Sequence, residues 1–283
     1  MTPTKDQTRE YYAVALDRCL EAFARLEEKE LKKKASDNWT AREHIAGLVA
    51  TAEKETLPLT RQAIAGEAPN VPGFAGRSDL VGFRQSVMEE IRDVPAPEQL
   101  ERMRAVYGEH LALLDTLSDD DLDKPANSPG WDRPGTIRDL FFASYLFLAS
   151  QYQEVRHVAK KKLPHWIEAS TADQSSYHMG RIFHYMPLIF NSDKGADVEA
   201  KYQFTMEGDG GGEWAIEIGG GKAEAQTGTL ESFDIELKTK PQLWIDLTTG
   251  DLNAMWAITT KKVKIGGNAG LAMKLSDLFS AEG

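Results

Sequence analysis

Cysteine, net positive charge and long apolar runs are all scarce in this sequence, and each scarcity excludes a class of protein. The 283 residues include a single cysteine, Cys19, so no disulfide can form within the chain. No apolar run approaches the roughly 20 residues that a transmembrane helix needs. The first residues are polar and contain no signal-peptide core. We therefore expect a soluble cytoplasmic protein without stable membrane insertion.

The charge balance argues against one large group of partners. Lysine and arginine number 33 against 44 aspartate and glutamate residues, which gives a formal net charge of −11. A polyphosphate backbone repels such a surface, so we expect no nucleic acid partner. The apolar content of 41% is enough for real cores and excludes a disordered chain. The length favours two domains.

The first half of the chain has helical periodicity throughout. Two Thr-x-x-acid capping boxes, Thr40 with Glu43 and Thr136 with Asp139, mark the starts of two helices. The apolar spacing predicts helices over about residues 12–34, 41–52, 80–91, 100–117 and 137–157. Long helices with short connections predict a four-helix bundle with an extra helical segment.

Two motifs give the bundle a family resemblance. Trp-Thr-x-x-Glu-x-Ile-x-x-Leu at Trp39–Leu48 and Thr-Ile-Arg-Asp-Leu at Thr136–Leu140 resemble the DinB-like bundles. That superfamily includes the N-terminal domain of mycothiol-dependent maleylpyruvate isomerase. The resemblance implies that metal-binding members hold a divalent ion with three histidines. The corresponding positions here are Gly47, Phe147 and Gln151, which provide no imidazole. We therefore expect no metal, no cofactor and no catalytic residue.

Other histidines could in principle rebuild a metal site in the bundle. Glu154 and His157 have the Glu-x-x-His spacing of di-iron bundles, which need two such pairs and two further glutamates. His44 and His110 lie on other helices. The alternative is that these are surface or hydrogen-bonded histidines, and we favour that reading.

A polar segment with a proline, Lys160–Gln174, separates this half from the next. We place the boundary near Leu163, so that the domains are residues 1–163 and 164–283. A helix should follow over about residues 172–190, and Pro187 should end or kink it.

Strict alternation then predicts strands. The apolar residues of Ala200–Met206, Trp214–Ile218, Ala223–Thr227 and Phe233–Leu237 occur at every second position. This pattern indicates a sheet with one buried and one wet face, the latter carrying Lys201 and Gln203. Clusters of glycine at 208–212 and 219–221 supply hairpin turns. A fifth strand is expected at 262–265.

The end of the chain returns to helical spacing. A short helix should begin at Pro241, and a second should carry Leu252 and Trp256. A closing amphipathic helix places Leu271, Leu275, Leu278 and Phe279 in one stripe.

This half resembles the sterol carrier protein 2 family over about residues 175–280. The resemblance rests on the hairpin-rich sheet and on three motifs. These are Gly-Asp-Leu-Asn at 250–253, Lys-Val-Lys-Ile-x-Gly at 262–267, and Leu-Ala-Met-Lys-Leu-x-x-Leu-Phe at 271–279. One departure is Lys261, where many members carry glycine. The resemblance implies an α/β fold, a five-stranded, mostly antiparallel sheet covered by helices. It also implies an apolar tunnel for sterols, fatty acids or acyl thioesters.

We predict that an apolar lipid or similar small molecule binds in this tunnel, with the bundle as a scaffold or partner surface. The predicted lining residues are Phe183, Met186, Phe190, Phe204, Met206, Trp214, Ile216, Leu243, Trp244, Leu247, Met255, Trp256, Ile258, Leu271, Leu275, Leu278 and Phe279. One alternative is that these side chains simply fill a core. Another is a thiol-dependent isomerase or transferase-like enzyme with a site in the bundle or between the domains.

Overall fold

The computed structural model describes residues 3–35, 38–159, 163 and 171–279. These residues form two compact units, and each is described by itself. The helical unit spans 3–130 and 134–159, with Leu163. The second unit consists of Trp131–Arg133 and 171–279. The domain boundary that we expect near Leu163 lies in a segment, 160–170, of which the structure describes only Leu163. Its position therefore stays a prediction.

The helical unit is built from eight α-helices among its described residues. They are α1 (Lys5–Ala24), α2 (Glu28–Leu31), α3 (Ala41–Thr51), α4 (Leu57–Ala65), α5 (Leu80–Ile91), α6 (Ala96–Thr116), α7 (Asp119–Leu122) and α8 (Ile137–Ala159). A π-helical turn, Ala52–Thr56, joins α3 to α4, and a 3-10 turn, Arg77–Asp79, precedes α5. The short strands β1 (Pro125–Ala126) and β2 (Gly135–Thr136) pair antiparallel. The helical N-terminal fold is thereby confirmed. No helix in the described part of the chain is long and apolar enough to cross a bilayer.

Local caps explain where the helices begin. Thr40 and Glu43 form a reciprocal capping box, and α3 starts at Ala41 as predicted. The prediction that the first helix runs on to Lys34 is wrong, because α1 ends at Ala24. A new capping box opens α2, in which the backbone N–H of Glu27 donates to the Glu30 carboxylate at 2.9 Å.

The second unit is a sheet covered by helices on one face. Its elements are α9 (Ala172–Tyr185), a 3-10 turn (Met186–Ile189), α10 (Ser192–Gly195), β3 (Ala200–Met206), β4 (Gly212–Gly219), β5 (Lys222–Thr227), β6 (Ile235–Thr239), α11 (Pro241–Thr248), α12 (Ala254–Thr259), β7 (Lys264–Gly267) and α13 (Ala269–Leu278). The strand order is β5-β4-β3-β6-β7, and only the β3–β6 pairing is parallel. The predicted five-stranded, mostly antiparallel sheet is confirmed. Pro187 lies in the 3-10 turn that ends α9, as expected.

The strand register separates an apolar face from a charged face. Tyr202 pairs with Ile216 and Ile235, and Phe204 pairs with Trp214 and Leu237. Because side chains alternate along a strand, these residues all point toward the covering helices.

Two residues depart from the predicted alternation. Phe233 precedes β6 and is 43% exposed, because the chain joins the sheet only at Asp234, whose N–H donates to the Lys201 carbonyl. Gln203 was expected on the wet face but is 1% exposed. The loop around Leu230 covers it: the Gln203 Oε1 atom accepts from the Leu230 N–H at 2.9 Å.

Candidate functional site

An aromatic cluster occupies the space between α9 and the centre of the sheet. The ring of Phe183 stacks on Trp214 with centroids 4.8 Å apart and lies 4.9 Å from Phe204. Trp244 from α11 closes the cluster, at 5.9 Å from Phe183 and 5.3 Å from Phe204. Four of the predicted lining residues therefore pack against one another, so this part of the interior is filled by the protein's own side chains.

The closing helix α13 is held at both ends, by the sheet at its start and by the segment between α9 and α10 at its end. At its start, the hydroxyl of Tyr202 donates to the Leu271 carbonyl at 3.2 Å. Burial raises the pKa of Tyr202 to about 12, so this hydroxyl remains a donor at neutral pH. At the other end, the Asn191 N–H donates to the Leu278 carbonyl at 2.8 Å, and Phe279 lies 5.6 Å from the ring of Phe190.

The predicted lining residues differ widely in exposure. The buried ones are Phe183, Met186, Phe190, Phe204, Met206, Ile216, Trp244 and Leu278. The half-buried ones are Trp214, Leu243, Leu247, Ile258, Leu271, Leu275 and Phe279. Met255 and Trp256 on α12 are 50% and 47% exposed. The half-buried set is concentrated on α11, α12 and α13, so incomplete burial of apolar side chains is a property of these C-terminal helices.

One buried polar atom lies beside this apolar set. The indole Nε1 of Trp244 is buried and has no hydrogen-bond partner among the described residues. An unmade hydrogen bond of a buried N–H costs free energy, so a ligand acceptor there would be favoured. These residues can therefore provide apolar contacts and one uncharged hydrogen-bond donor to a ligand.

A separate open cavity of about 460 Å³ lies against the strands β3, β4 and β5. Its charged lining residues are Glu199, Lys201, Glu217, Lys222, Glu224 and Asp234. Lys201 pairs with Glu217 at 3.1 Å, and Arg133 pairs with Glu224 at 2.9 Å. Most of its lining residues thus carry a charge, unlike the apolar set on α11–α13.

In the helical unit, the positions that would hold a metal serve packing instead. A side chain at Gly47 would begin only 3.2 Å from the ring of Trp39. Phe147 lies under the Arg84 guanidinium, 4.6 Å from the ring centre. The Nδ1–H of His44 donates to the Gln151 Oε1 at 2.7 Å. These residues do not fit a site of three imidazoles, and no group of three or more metal-ligating side chains occurs in the part of the chain that the structure describes.

His110 takes part in a buried hydrogen-bond chain. Its Nδ1 lies 2.7 Å from the Tyr12 hydroxyl, and its Nε2 lies 2.8 Å from the Thr60 hydroxyl, which donates to the Thr56 carbonyl. Burial lowers the pKa of His110 to about 3, so the ring is neutral at physiological pH. This is the hydrogen-bonded role that we favoured for His110, and His157 is exposed.

Each half of the chain is similar to a known family. Residues 11–144 match the DinB superfamily, and residues 191–280 match the SCP-2 sterol transfer family. Over 161 residues the chain is 28% identical to hydroxysteroid dehydrogenase-like protein 2 of Xenopus tropicalis. That alignment covers 56% of this chain and 37% of the relative, so the chain spans well under half of the relative's length.

One solved structure has a similar fold over most of the chain. A mutant of mycothiol-dependent maleylpyruvate isomerase superposes with a TM-score of 0.55 at 9% identity, covering 88% of this chain and 91% of that one. This likeness is one of fold. The sterol carrier protein domain 2 of Helicoverpa armigera is 27% identical, with a TM-score of 0.33, and the match covers 41% of this chain and 94% of that domain.

Proposed function

We propose that the C-terminal unit, which carries the match to the SCP-2 sterol transfer family, binds and carries an apolar lipid without chemically changing it. The observation that supports this most directly is the half-buried apolar set on α11–α13, which includes Leu243, Leu271 and Leu275. A ligand lying against these side chains would gain roughly 25 cal/mol for each Å² of apolar surface removed from water. The helical unit would act as a scaffold or partner surface.

We infer the position of the ligand from the part of the interior that side chains of the protein already fill. The rings of Phe183, Phe204 and Trp244 occupy the α9 side of the interior. We therefore place the ligand toward the other side, between α11–α13 and the strands β6 and β7. The lining there consists mainly of the half-buried members of the predicted set. The buried residues of the predicted set would pack behind these half-buried side chains.

The indole of Trp244 narrows the ligand class. Its buried N–H would donate to a carbonyl, carboxyl or hydroxyl oxygen next to the apolar body of the ligand. Sterols, fatty acids and acyl thioesters all carry such an acceptor. A neutral donor suits the uncharged oxygens of sterols and acyl thioesters best, because an ionised fatty-acid carboxylate would be buried there without a counter-charge.

Extraction and mass identification of bound lipid tests this proposal on the purified chain. We expect native mass spectrometry to show a co-purifying lipid, and fluorescent fatty acid to bind and to be displaced by it. The alternative is a thiol-dependent isomerase or transferase-like enzyme. A preparation with stoichiometric zinc or nickel and no affinity for any apolar probe would favour that alternative and contradict ours. The expected absence of a nucleic acid partner stays a prediction.

A further inference from the structure

The π-helical turn Ala52–Thr56 directs three consecutive charged side chains to different surroundings. Glu53 forms a two-pronged ion pair with Arg102 on α6, at 2.6 and 3.0 Å. Lys54 pairs with a carboxylate of α5 at 3.2 Å. The side chain of Glu55 is instead buried. π-Helical turns are rare and occur frequently at functional sites, so this buried carboxylate is a candidate for a role beyond packing.

The buried carboxylate and its basic neighbour each have an unmade hydrogen bond. The Oε2 atom of Glu55 lies 3.7 Å from the Nε atom of Arg84 on α5, which is beyond hydrogen-bond distance. Both atoms are buried, and neither has a hydrogen-bond partner among the described residues. The two charges attract each other, but one acceptor and one donor remain unsatisfied side by side, which costs free energy.

The guanidinium of Arg84 is held in place by an aromatic ring. It lies 4.6 Å from the centre of the Phe147 ring on α8, a cation–π arrangement. Arg84 and Phe147 are both half-buried, so part of each side chain is accessible to solvent. A guanidinium presents its N–H groups in a planar fork that matches a carboxylate, and one already held on a ring loses little freedom on binding.

We infer that the helical unit binds a small carboxylate between Arg84 and Glu55. One ligand oxygen accepts from the Nε–H of Arg84, and the other shares a proton with the Oε2 atom of Glu55. Because these two unsatisfied atoms are 3.7 Å apart, neighbouring oxygens of one carboxylate can reach both with ordinary hydrogen bonds. The site lies in the helical unit, so it does not rest on the lipid function proposed for the C-terminal unit.

The charges of such a complex balance. The ligand carboxylate and Glu55 hold one proton between them, and the guanidinium of Arg84 neutralises the remaining negative charge. Burial raises the pKa of Glu55, which favours the protonated carboxyl that this sharing needs. Tyr107 on α6 lies within electrostatic range of the pair, but burial raises the pKa of its hydroxyl, which donates to the Leu48 carbonyl at 3.4 Å and stays neutral. A carboxylate can therefore enter without leaving an unbalanced buried charge.

NMR of the ¹⁵N-labelled full chain tests the site directly, because the Nε–H of an arginine gives its own resonance. The Arg84 resonance is assigned by its loss in the variant Arg84→Lys, and the probe is benzoate. Titration with benzoate should move this resonance downfield to saturation, as expected for a donor that gains an anionic acceptor. The uncharged analogue benzyl alcohol should leave it in place. No movement at millimolar benzoate would overturn the proposal.

Two arginine variants separate the site from general charge attraction. Arg84→Lys keeps the charge but removes the Nε–H and the planar fork, so benzoate affinity measured by calorimetry should fall roughly 10- to 100-fold. Arg102→Lys is the matched control, because the Arg102 guanidinium is already bonded to Glu53. It should bind benzoate as the wild type does. An equal loss in both variants would contradict the assignment.

The variant Glu55→Gln tests the shared proton. Its amide can donate to the ligand without taking up a proton, so benzoate affinity should be at least that of the wild type. A loss as large as that in Arg84→Lys would overturn the role of Glu55. Thermal unfolding shows whether each variant is folded.

Three further outcomes separate the possible explanations. If inorganic phosphate moves the Arg84 resonance as strongly as benzoate, the site attracts anions in general and the assignment to a carboxylate is wrong. If the variants change only the unfolding temperature and the wild type does not bind benzoate, the pair merely joins α5 to the π-helical turn and the proposal is overturned. If benzoate binds as expected but no apolar probe does, this site stands and the proposed lipid function fails.

Discussion

The substitution Leu275→Asp tests the ligand site directly. Leu275 is half-buried on α13, in the apolar stripe that faces the sheet. Losing part of its aliphatic contact costs about 1–2 kcal/mol of binding, at about 0.8 kcal/mol for each CH₂ group. The new carboxylate must also turn toward water or be desolvated against the ligand. We expect a total loss of about 2–3 kcal/mol, a rise in Kd of roughly 30- to 150-fold.

The control for this experiment is the next residue along the same helix. Ser276 is exposed, so Ser276→Asp adds the same charge to the same turn of α13 without touching the apolar stripe. Titration with a fluorescent fatty acid gives Kd, and thermal unfolding shows that both variants are folded. If a folded Leu275→Asp protein binds the probe as tightly as the wild type, or if Ser276→Asp loses as much affinity, our placement of the ligand is refuted.

Three further predictions concern individual interactions. Trp244→Phe keeps an aromatic ring but removes the N–H. Affinity for a fatty-acid ester should therefore fall by roughly 3- to 10-fold, whereas affinity for an alkane of the same length should not change. Equal losses for both ligands would mean that the indole contributes packing contacts and no hydrogen bond. Burial depresses the pKa of His110 to about 3, so the folded protein favours the neutral ring. The resulting contribution to the free energy of unfolding is complete above the unfolded pKa of 6.5 and is lost as pH falls toward the folded pKa of about 3. Denaturant unfolding should show a loss of about 2 kcal/mol at about pH 5 that His110→Gln abolishes, and an unchanged pH profile in the variant would contradict the assignment. Gly195→Ala would place a methyl group 2.2 Å from the Phe190 ring and should destabilise the unit by about 1–3 kcal/mol in the same assay, whereas a neutral effect would show that the ring can move.

Several parts of the fold depend on local interactions and can be predicted from the sequence alone. The capping box of Thr40 with Glu43 involves residues three apart, so it depends on nothing distant, and α3 begins where it predicts. Alternation along Ala200–Met206 likewise follows from the pleat of a single strand. The predicted first helix is too long because a new capping box at Glu27 opens α2.

Long-range packing decided what local patterns could not. Gln203 has the alternation of a wet-face residue, yet the loop that carries Leu230 folds over it and is bonded to its amide. Phe233 continues the apolar alternation but stands outside the strand and in solvent. The exposure of these two side chains does not depend on neighbours within a few residues, so the periodicity of the sequence could not predict it.

The sequence by itself determined the two-part organisation, the helical and five-stranded architectures and the apolar character of the covering helices, because these depend on composition and short-range periodicity. Only the tertiary structure separated apolar residues of the same kind into different roles. Phe183 and Trp244 are packed inside an aromatic cluster, whereas Met255 and Trp256 face solvent. The physical reason is that burial depends on what other segments of the chain cover a residue, and that information is distributed over the whole unit.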